Sequence, residues 1–421
     1  MSKQASLFSN HNASVASPTP ARFAPAALLL VSALTLLSSG CGGPAYVVYA
    51  PPCYGYGCGN GYGYGYGFIS TVAGTGVAGN TGNGSPAVTA QLRQPVALTV
   101  DPSGNLYIAD SASNTVREVA ATTGIINGAS SGITAANHGS LTSLANNAAA
   151  APRFNQPSAV AIDASGNVDV LDNATSTVRR MSSTGVLSIV AGNAAGIAGF
   201  SGDNGQAINA KLNLPLGMAF DPYGNLFIAD TGNQRIRRVD ASTGIITTVA
   251  GTGNAGYSGD GGLAAAAQIS HPAAIATDSQ GNLYIADSGN AAIRKVDVRT
   301  GIISTVAGTG IIGFSGDNAA AVAAKLNQPL GITVDAHNNL FISDTGNQRI
   351  REVAANTGVI STVAGDSKQG YSGDGGPSSS ADLNQPYATA IDASGNLYIA
   401  DSGNGVIRKV LPNPQTATKA N

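Results

Sequence analysis

The segment Gly104-Asn105-Leu106-Tyr107-Ile108-Ala109-Asp110 returns, with variations, six times along this 421-residue chain. Its closing acid falls at Asp110, Asp172, Asp230, Asp287, Asp344 and Asp401, at spacings of 62, 58, 57, 57 and 57 residues. A period of this length marks one supersecondary unit per repeat, which buries its apolar faces only by stacking on its neighbours. Composition restricts what the unit can be. The chain holds 55 Gly, and its 23 acids include only two Glu, Glu118 and Glu352. Gly, Asp and Asn favour turns, whereas Glu and Lys favour helix, so long helices are disfavoured. With 43% hydrophobic residues the chain can bury a large core, which argues against disorder.

The fourth unit shows the pattern. Residues 273–277 form a small-residue strand entered by Pro272, and Asp278-Ser279-Gln280-Gly281 turns the chain. Residues 282–286 form a second strand, residues 287–290 a turn, residues 291–298 a third strand and residues 302–307 a fourth. Short runs of Val, Ile, Tyr and Thr between Gly and Asp clusters fit strands. They are apolar on both faces, as expected of sheets covered on each side. Four-stranded sheets repeated around an axis make a β-propeller.

The ends of the chain bear on closure. The sixth unit has a third strand, residues 406–410, and then leaves through Pro412 without a fourth. Ahead of the first unit, residues 68–74 repeat the fourth-strand text of residues 302–308. The N-terminal strand is therefore expected to complete the last blade and close a six-bladed, all-β propeller over residues 68–411.

At these residues the chain resembles the NHL-repeat family. The likeness lies in the recurring Gly-Asn-Leu-Tyr/Phe-Ile-Ala-Asp, the Gly-Asn that follows and then Ile-Arg, as at Asp230, Asn233, Ile236 and Arg237. The longer unit with its Ser-Gly-Asp connector is similar to NHL-type repeats of bacterial cell-surface proteins and of the teneurin propeller. That resemblance implies a binding or scaffold domain, with enzymes a minority among related six-bladed propellers. The second unit departs most, with Asp169 where others have an aromatic and Ser176 where others have Asn.

An address precedes the repeats. Lys3 and Arg22 lead into an apolar stretch, residues 23–37, that ends in Leu37-Ser38-Ser39-Gly40-Cys41. A basic start, a short apolar segment and small residues before a cut make a secretory signal, expected over residues 1–40. The Ser-Gly-Cys ending resembles the lipobox of bacterial lipoproteins, which implies a lipid on Cys41; plain secretion is the alternative. Residues 41–67 alternate Gly and Tyr and read as a tether, in which Cys53 and Cys58 could close a small disulfide loop. A short tail, residues 412–421, ends the chain. Loss of residues 1–40 removes two cations and no acid, taking the net charge from −2 to −4. That charge gives no reason to expect nucleic acid, and a monomer touching membrane only through its lipid is expected.

The connectors carry the most unusual text. Asp203, Asp260, Asp317 and Asp374 each close a Phe/Tyr-Ser-Gly-Asp motif, with Asn83 at the matching place of the first connector. Each of the five lies twelve residues before the Pro that opens its blade. These connectors should emerge on the same face as the turns bearing Asp230, Asp287, Asp344 and Asp401. Two readings follow. A ring of carboxylates could hold calcium or meet a polysaccharide or protein partner, although no copy matches a calcium-loop motif and no cofactor is required. Alternatively each Asp accepts N–H bonds in its own turn and the aromatic anchors the loop. The third-strand arginines Arg117, Arg179, Arg237, Arg294, Arg351 and Arg408 each follow a turn Asp by seven residues, so a hairpin could pair them.

Catalysis finds little support in the text. His11 lies in the signal, His138 in the irregular second connector and His337 in a turn on the opposite face. Only His271 stands near an axial strand entrance, where the other units place Gln94, Gln156, Leu214, Gln328 and Gln385. A catalytic zinc needs about three protein ligands. The innermost strands, read at residues 97–99, 160–162, 218–220, 274–276, 332–334 and 389–391, contain no ionisable group. The expected function is thus a binding or scaffold module at the bacterial envelope. A metal-dependent hydrolase or lyase using the central channel is the alternative.

Overall fold

A computed structural model describes residues 66–129, 154–181 and 187–412. The signal, Cys41, Cys53, Cys58, His138, most of the tether and the tail beyond Pro412 lie outside the described residues. The described chain forms six antiparallel sheets in which successive strands pair in order. Blade IV runs Pro272–Thr277, Leu283–Asp287, Ala292–Val296 and Ile303–Ala307. Blades I, II, III and V occupy residues 95–129, 157–191, 217–250 and 329–364.

Blade VI joins the two ends of the propeller. Tyr66–Ala73 pairs antiparallel with Val406–Pro412, Ile69 facing Val410 and Thr71 facing Arg408. The closing strand begins at Tyr66, two residues inside the expected tether. Every blade therefore has the four strands of the repeat, with a two-residue connector strand as a fifth in blades I, III and V, and the propeller is closed as the repeat arithmetic required.

Each second strand is buried along its whole length, Leu283–Asp287 among them. The apolar clusters straddle blade boundaries: Phe227 and Ile236 of blade III pack with Ile275, Leu283 and Ile285 of blade IV. Ile285 is fully buried. Such a side chain contributes roughly 1.5–3 kcal/mol by leaving water.

Two features were absent from the sequence expectation. In five of the six blades the turn after the second strand is a short 3-10 turn, as at Ser288–Asn290, closed by a left-handed residue, Ala291 at φ 48°. In blade III the connector adds a two-residue strand, with Gly205 facing Ile246 and Gln206 facing Ile245. It then makes a 3-10 turn at Ala207–Asn209 and crosses inward to the first strand. The Ser-Gly-Asp text is steric as well as polar. Gly259 has φ +95°, and a Cβ there would meet Ala267 at 2.6 Å.

The two faces of the disc differ. The lower face carries the turns between first and second strands, where Asp101 Oδ1 accepts the N–H groups of Ser103 at 2.9 Å and Asn105 at 2.8 Å. The upper face carries the connectors and the turns that follow Asp230 and its equivalents.

Candidate binding face

The upper-face acids are held from within. Asp230 Oδ1 accepts the Asn213 N–H of the incoming connector at 2.8 Å. The Asn233 amide donates to both of its oxygens at 2.9 Å and to the Gly199 carbonyl at 2.7 Å. Arg237, seven residues on, places Nη1 3.3 Å from Asp230 Oδ2, and both side chains are fully buried. Asp287, Asp344 and Asp401 repeat the arrangement with Arg294, Arg351 and Arg408. Burial pushes the Asp287 carboxyl up, against the pull of the Asn290 amide, the Ser270 N–H and Arg294.

The connector acids meet the same arginines from the other side. Arg237 donates from Nε at 3.1 Å and Nη2 at 2.7 Å to Asp203 Oδ1. Arg294 and Arg408 hold Asp260 and Asp374 alike, and Asp317 Oδ1 stands 2.6 Å from Arg351 Nη2. Thr248 and Thr362 donate their hydroxyls to the second oxygens of Asp203 and Asp317 at 2.7 and 2.6 Å. Arg237 also lies 4.9 Å from the centre of the Phe200 ring, and Arg235 covers that ring at 3.8 Å. Each such arginine thus bridges a connector carboxylate 34 residues upstream and a turn carboxylate seven residues upstream. The expected ligand-face residues Asp203, Asp260, Asp317 and Asp374 stand on one face, engaged by these arginines.

Blade I departs from the pattern. Arg117 is fully buried. It donates to the carbonyls of Gln91 at 2.9 Å and Thr81 at 3.1 Å. Its Nε has no partner, nor has Oδ2 of Asp110. Asn83 is exposed at the place of the connector acid.

Nearer the axis stands a second ring. His271 occupies the strand entrance as expected, with Gln94, Gln156, Leu214, Gln328 and Gln385 at the equivalent places, all exposed. Five of these are left-handed: Gln156 at φ 57°, Leu214 at 45°, His271 at 48°, Gln328 at 49° and Gln385 at 50°. That backbone costs a non-glycine residue roughly 1–2 kcal/mol. Neighbouring blades clip the strained N–H groups. His271 and Gln385 donate to the amide oxygens of Gln234 and Gln348 at 2.6 Å, and Gln156 to Asn114 at 2.8 Å. Below Gln385, partly exposed Tyr387 packs against the core cluster shared by blades I, II and III.

The two glutamates, left as third-strand residues by the sequence, are both buried. Burial, with Asp335 beside it, pushes Glu352 up to about 7. Burial likewise lifts Glu118 to about 7, against a pull from the Tyr107 hydroxyl. In blade II the unusual Asp169 is explained: Arg180 grips it with Nε at 2.8 Å and Nη2 at 3.0 Å. Alternation along the third strand could have signalled that pair, since Arg180 stands directly across from Asp169. Among the described residues no three His, Cys, Asp or Glu converge as a metal-ligand set. Open grooves of ≈ 560 Å³ between blades IV and V and ≈ 410 Å³ between blades VI and I contain none of the connector acids.

The comparisons with known proteins agree with this architecture. The teneurin NHL domain model matches residues 253–313, and the NHL repeat model matches residues 326–352. The chain is 26% identical over 267 residues to SUPPRESSOR OF QUENCHING 1 of Arabidopsis thaliana, covering 61% of this chain and 25% of that protein. It is 32% identical over 236 residues to teneurin-1 of Mus musculus, covering 50% of this chain and 8% of that protein. The chain thus spans a quarter or less of the curated relatives it matches here. Among solved structures it is similar to an auxiliary nutrient binding protein of Bacteroides ovatus. There the TM-score is 0.57 and the identity 17%, over 83% of this chain and 78% of the other. At that identity the likeness speaks for the fold. Repeat text, blade pairing and ring closure lead to one conclusion: the chain carries NHL-type repeats, matched by family models at residues 253–313 and 326–352, and its six repeats form a closed β-propeller.

Proposed function

We propose that the chain is an exported, lipid-anchored binding module of the bacterial envelope, which takes a polysaccharide or protein partner on its upper face, around the axial mouth. One observation carries this reading. The mouth is ringed by left-handed Gln156, Leu214, His271, Gln328 and Gln385, where glycine would relieve backbone strain at no cost in packing. No hydrogen bond is made by the side chains of Gln156, Gln328 or Gln385 within the described structure. Their amides are therefore free for a ligand, whereas the equally strained Gln234 and Gln348 are spent on neighbouring backbone. Function sited where strain is retained fits the general behaviour of binding sites.

Further support comes from a fold likeness to a protein described as binding nutrients, and from a signal-like N-terminus ending at Cys41. The test is the triple variant Gln156→Gly, Gln328→Gly, Gln385→Gly, compared with the parent in capture of envelope glycans and proteins. The expected result is an unchanged or higher melting temperature with loss of capture. Capture at full strength by a well-folded triple variant would remove the axial mouth from consideration.

A further inference from the structure

Blade I differs from blades III to VI at four positions that act together. Where blade III has the connector acid Asp203, blade I has Asn83; where it has the ring of Phe200, blade I has Asn80. Opposite the arginine, Thr248 of blade III faces Arg237, while Gly128 of blade I faces Arg117. In the upper turn, Ser113 replaces the amide of Asn233. The arginine itself is kept, and it is fully buried.

These changes remove one carboxylate and two groups that pack around it, and leave the guanidinium in place. In blades III, IV and VI, Nε and Nη2 converge on one carboxylate oxygen at 2.6–3.1 Å. In blade V, Arg351 Nε also has no bond of its own, but Asp317 stands 2.6 Å from Nη2. Arg117 alone among these five makes no ion pair in the described structure, and its Nε is buried without a partner. A buried, unanswered donor costs about 1–3 kcal/mol. The fork geometry of guanidinium suits a planar carboxylate. The groups above it are amides and hydroxyls: Asn80, Asn83 and Thr81 are exposed, and the Thr81 hydroxyl donates to Gln91 at 3.0 Å.

We propose that blade I holds a carboxylate seat on Arg117, filled in function by the acid group of a uronic acid sugar whose hydroxyls meet Asn80, Thr81 and Asn83. The seat is at a connector, apart from the axial mouth, and does not depend on the reading given for the mouth. A sugar acid fits better than an apolar carboxylate, because the surrounding side chains offer hydrogen bonds and no ring to stack on.

The test uses residues 66–412 in the full chain, with tri-galacturonate, its methyl ester and tri-aspartate as probes in calorimetry and thermal melting. Tri-galacturonate should bind and raise the melting temperature, and the ester should do neither. Asn83→Asp should raise the melting temperature of the free protein by a few degrees and weaken tri-galacturonate at least about tenfold. Arg117→Lys, which keeps the charge and loses the fork, should also lose the response. Equal responses to acid and ester overturn the seat, as does an Asn83→Asp protein that is no more stable and binds unchanged. An equal response to tri-aspartate overturns the assignment to a sugar. The glycine variants of the axial mouth should leave the tri-galacturonate response intact, so failure at either site is read separately.

Discussion

Arg237 and Arg117 occupy the same place in two blades of one ring, and only Arg237 makes ion pairs in the described structure. Arg237 lies between Asp230 and Asp203 with Phe200 beside it. Arg117 rests on two carbonyls with its Nε unmatched. The contrast separates two uses of one repeat. Where acid, ring and arginine recur together, the charges serve the blade's own connector. Where the arginine persists and the connector acid has gone, Asp110 remains nearby but the blade has lost the second carboxylate that answers Nε.

That contrast can be broken most severely at the buried pair. Asp230→Ala leaves Arg237 fully buried with one carboxylate instead of two and frees the Asn213 N–H. A loss of about 3–5 kcal/mol in unfolding free energy is expected, read by denaturant melts. Asp203→Asn writes blade I text into blade III and removes the partly exposed partner. An expected loss of about 1–3 kcal/mol by the same melts would place the connector ion pair among the stronger charged hydrogen bonds. A neutral result would mean that Asp230 and the backbone carbonyls alone suffice for Arg237.

The buried glutamates give a pH signature of their own. Folding raises the Glu352 and Glu118 carboxyls from an ordinary 4.5 to about 7. The folded state therefore holds more protons than the unfolded state between those values, and stability falls as pH rises from about 4.5 through about 7. Glu352→Gln should stabilise the protein at pH 8 by about 2–3 kcal/mol and leave it nearly unchanged at pH 4.5. Parallel pH–stability curves for parent and variant would show that Glu352 ionises freely in the fold. A smaller effect is expected at the closing blade. The Tyr371 hydroxyl lies 2.8 Å from that of Thr71 on the N-terminal strand. Tyr371→Phe should cost about 0.5–1.5 kcal/mol in thermal melts. The smallest response should be to calcium: with the connector acids occupied by arginine and threonine, millimolar calcium is expected to leave the melting temperature unchanged.

The architecture was legible because it is written six times. The 57-residue spacing fixed the blade count, and the fourth-strand text at residues 68–74 revealed how the ring closes. The pairing of Arg237 with Asp230 was also within reach, since a hairpin brings residues seven apart together. Its second partner was not. Asp203 lies 34 residues upstream on a connector whose path depends on the pairing of Gly205 with Ile246, and no local pattern announces that register. The strained entrance of five of the first strands was hidden for another reason. Gln156 and Gln385 are ordinary residues in the text, and their left-handed backbone arises from neighbours in the adjacent blade, Asn114 and Gln348. The burial of Glu118 and Glu352 follows from strand alternation against the next blade, which a single repeat does not display.

The closing strand also gives the disc a direction. Tyr66–Ala73 runs from the lower face to the upper one, since its far end feeds the first upper connector. Tyr66 itself therefore stands on the side opposite the axial mouth and the blade I seat. Pro412 faces it across the strand pair. Both ends of the propeller thus meet on the lower face, and the seam that closes the ring begins and ends away from the mouth.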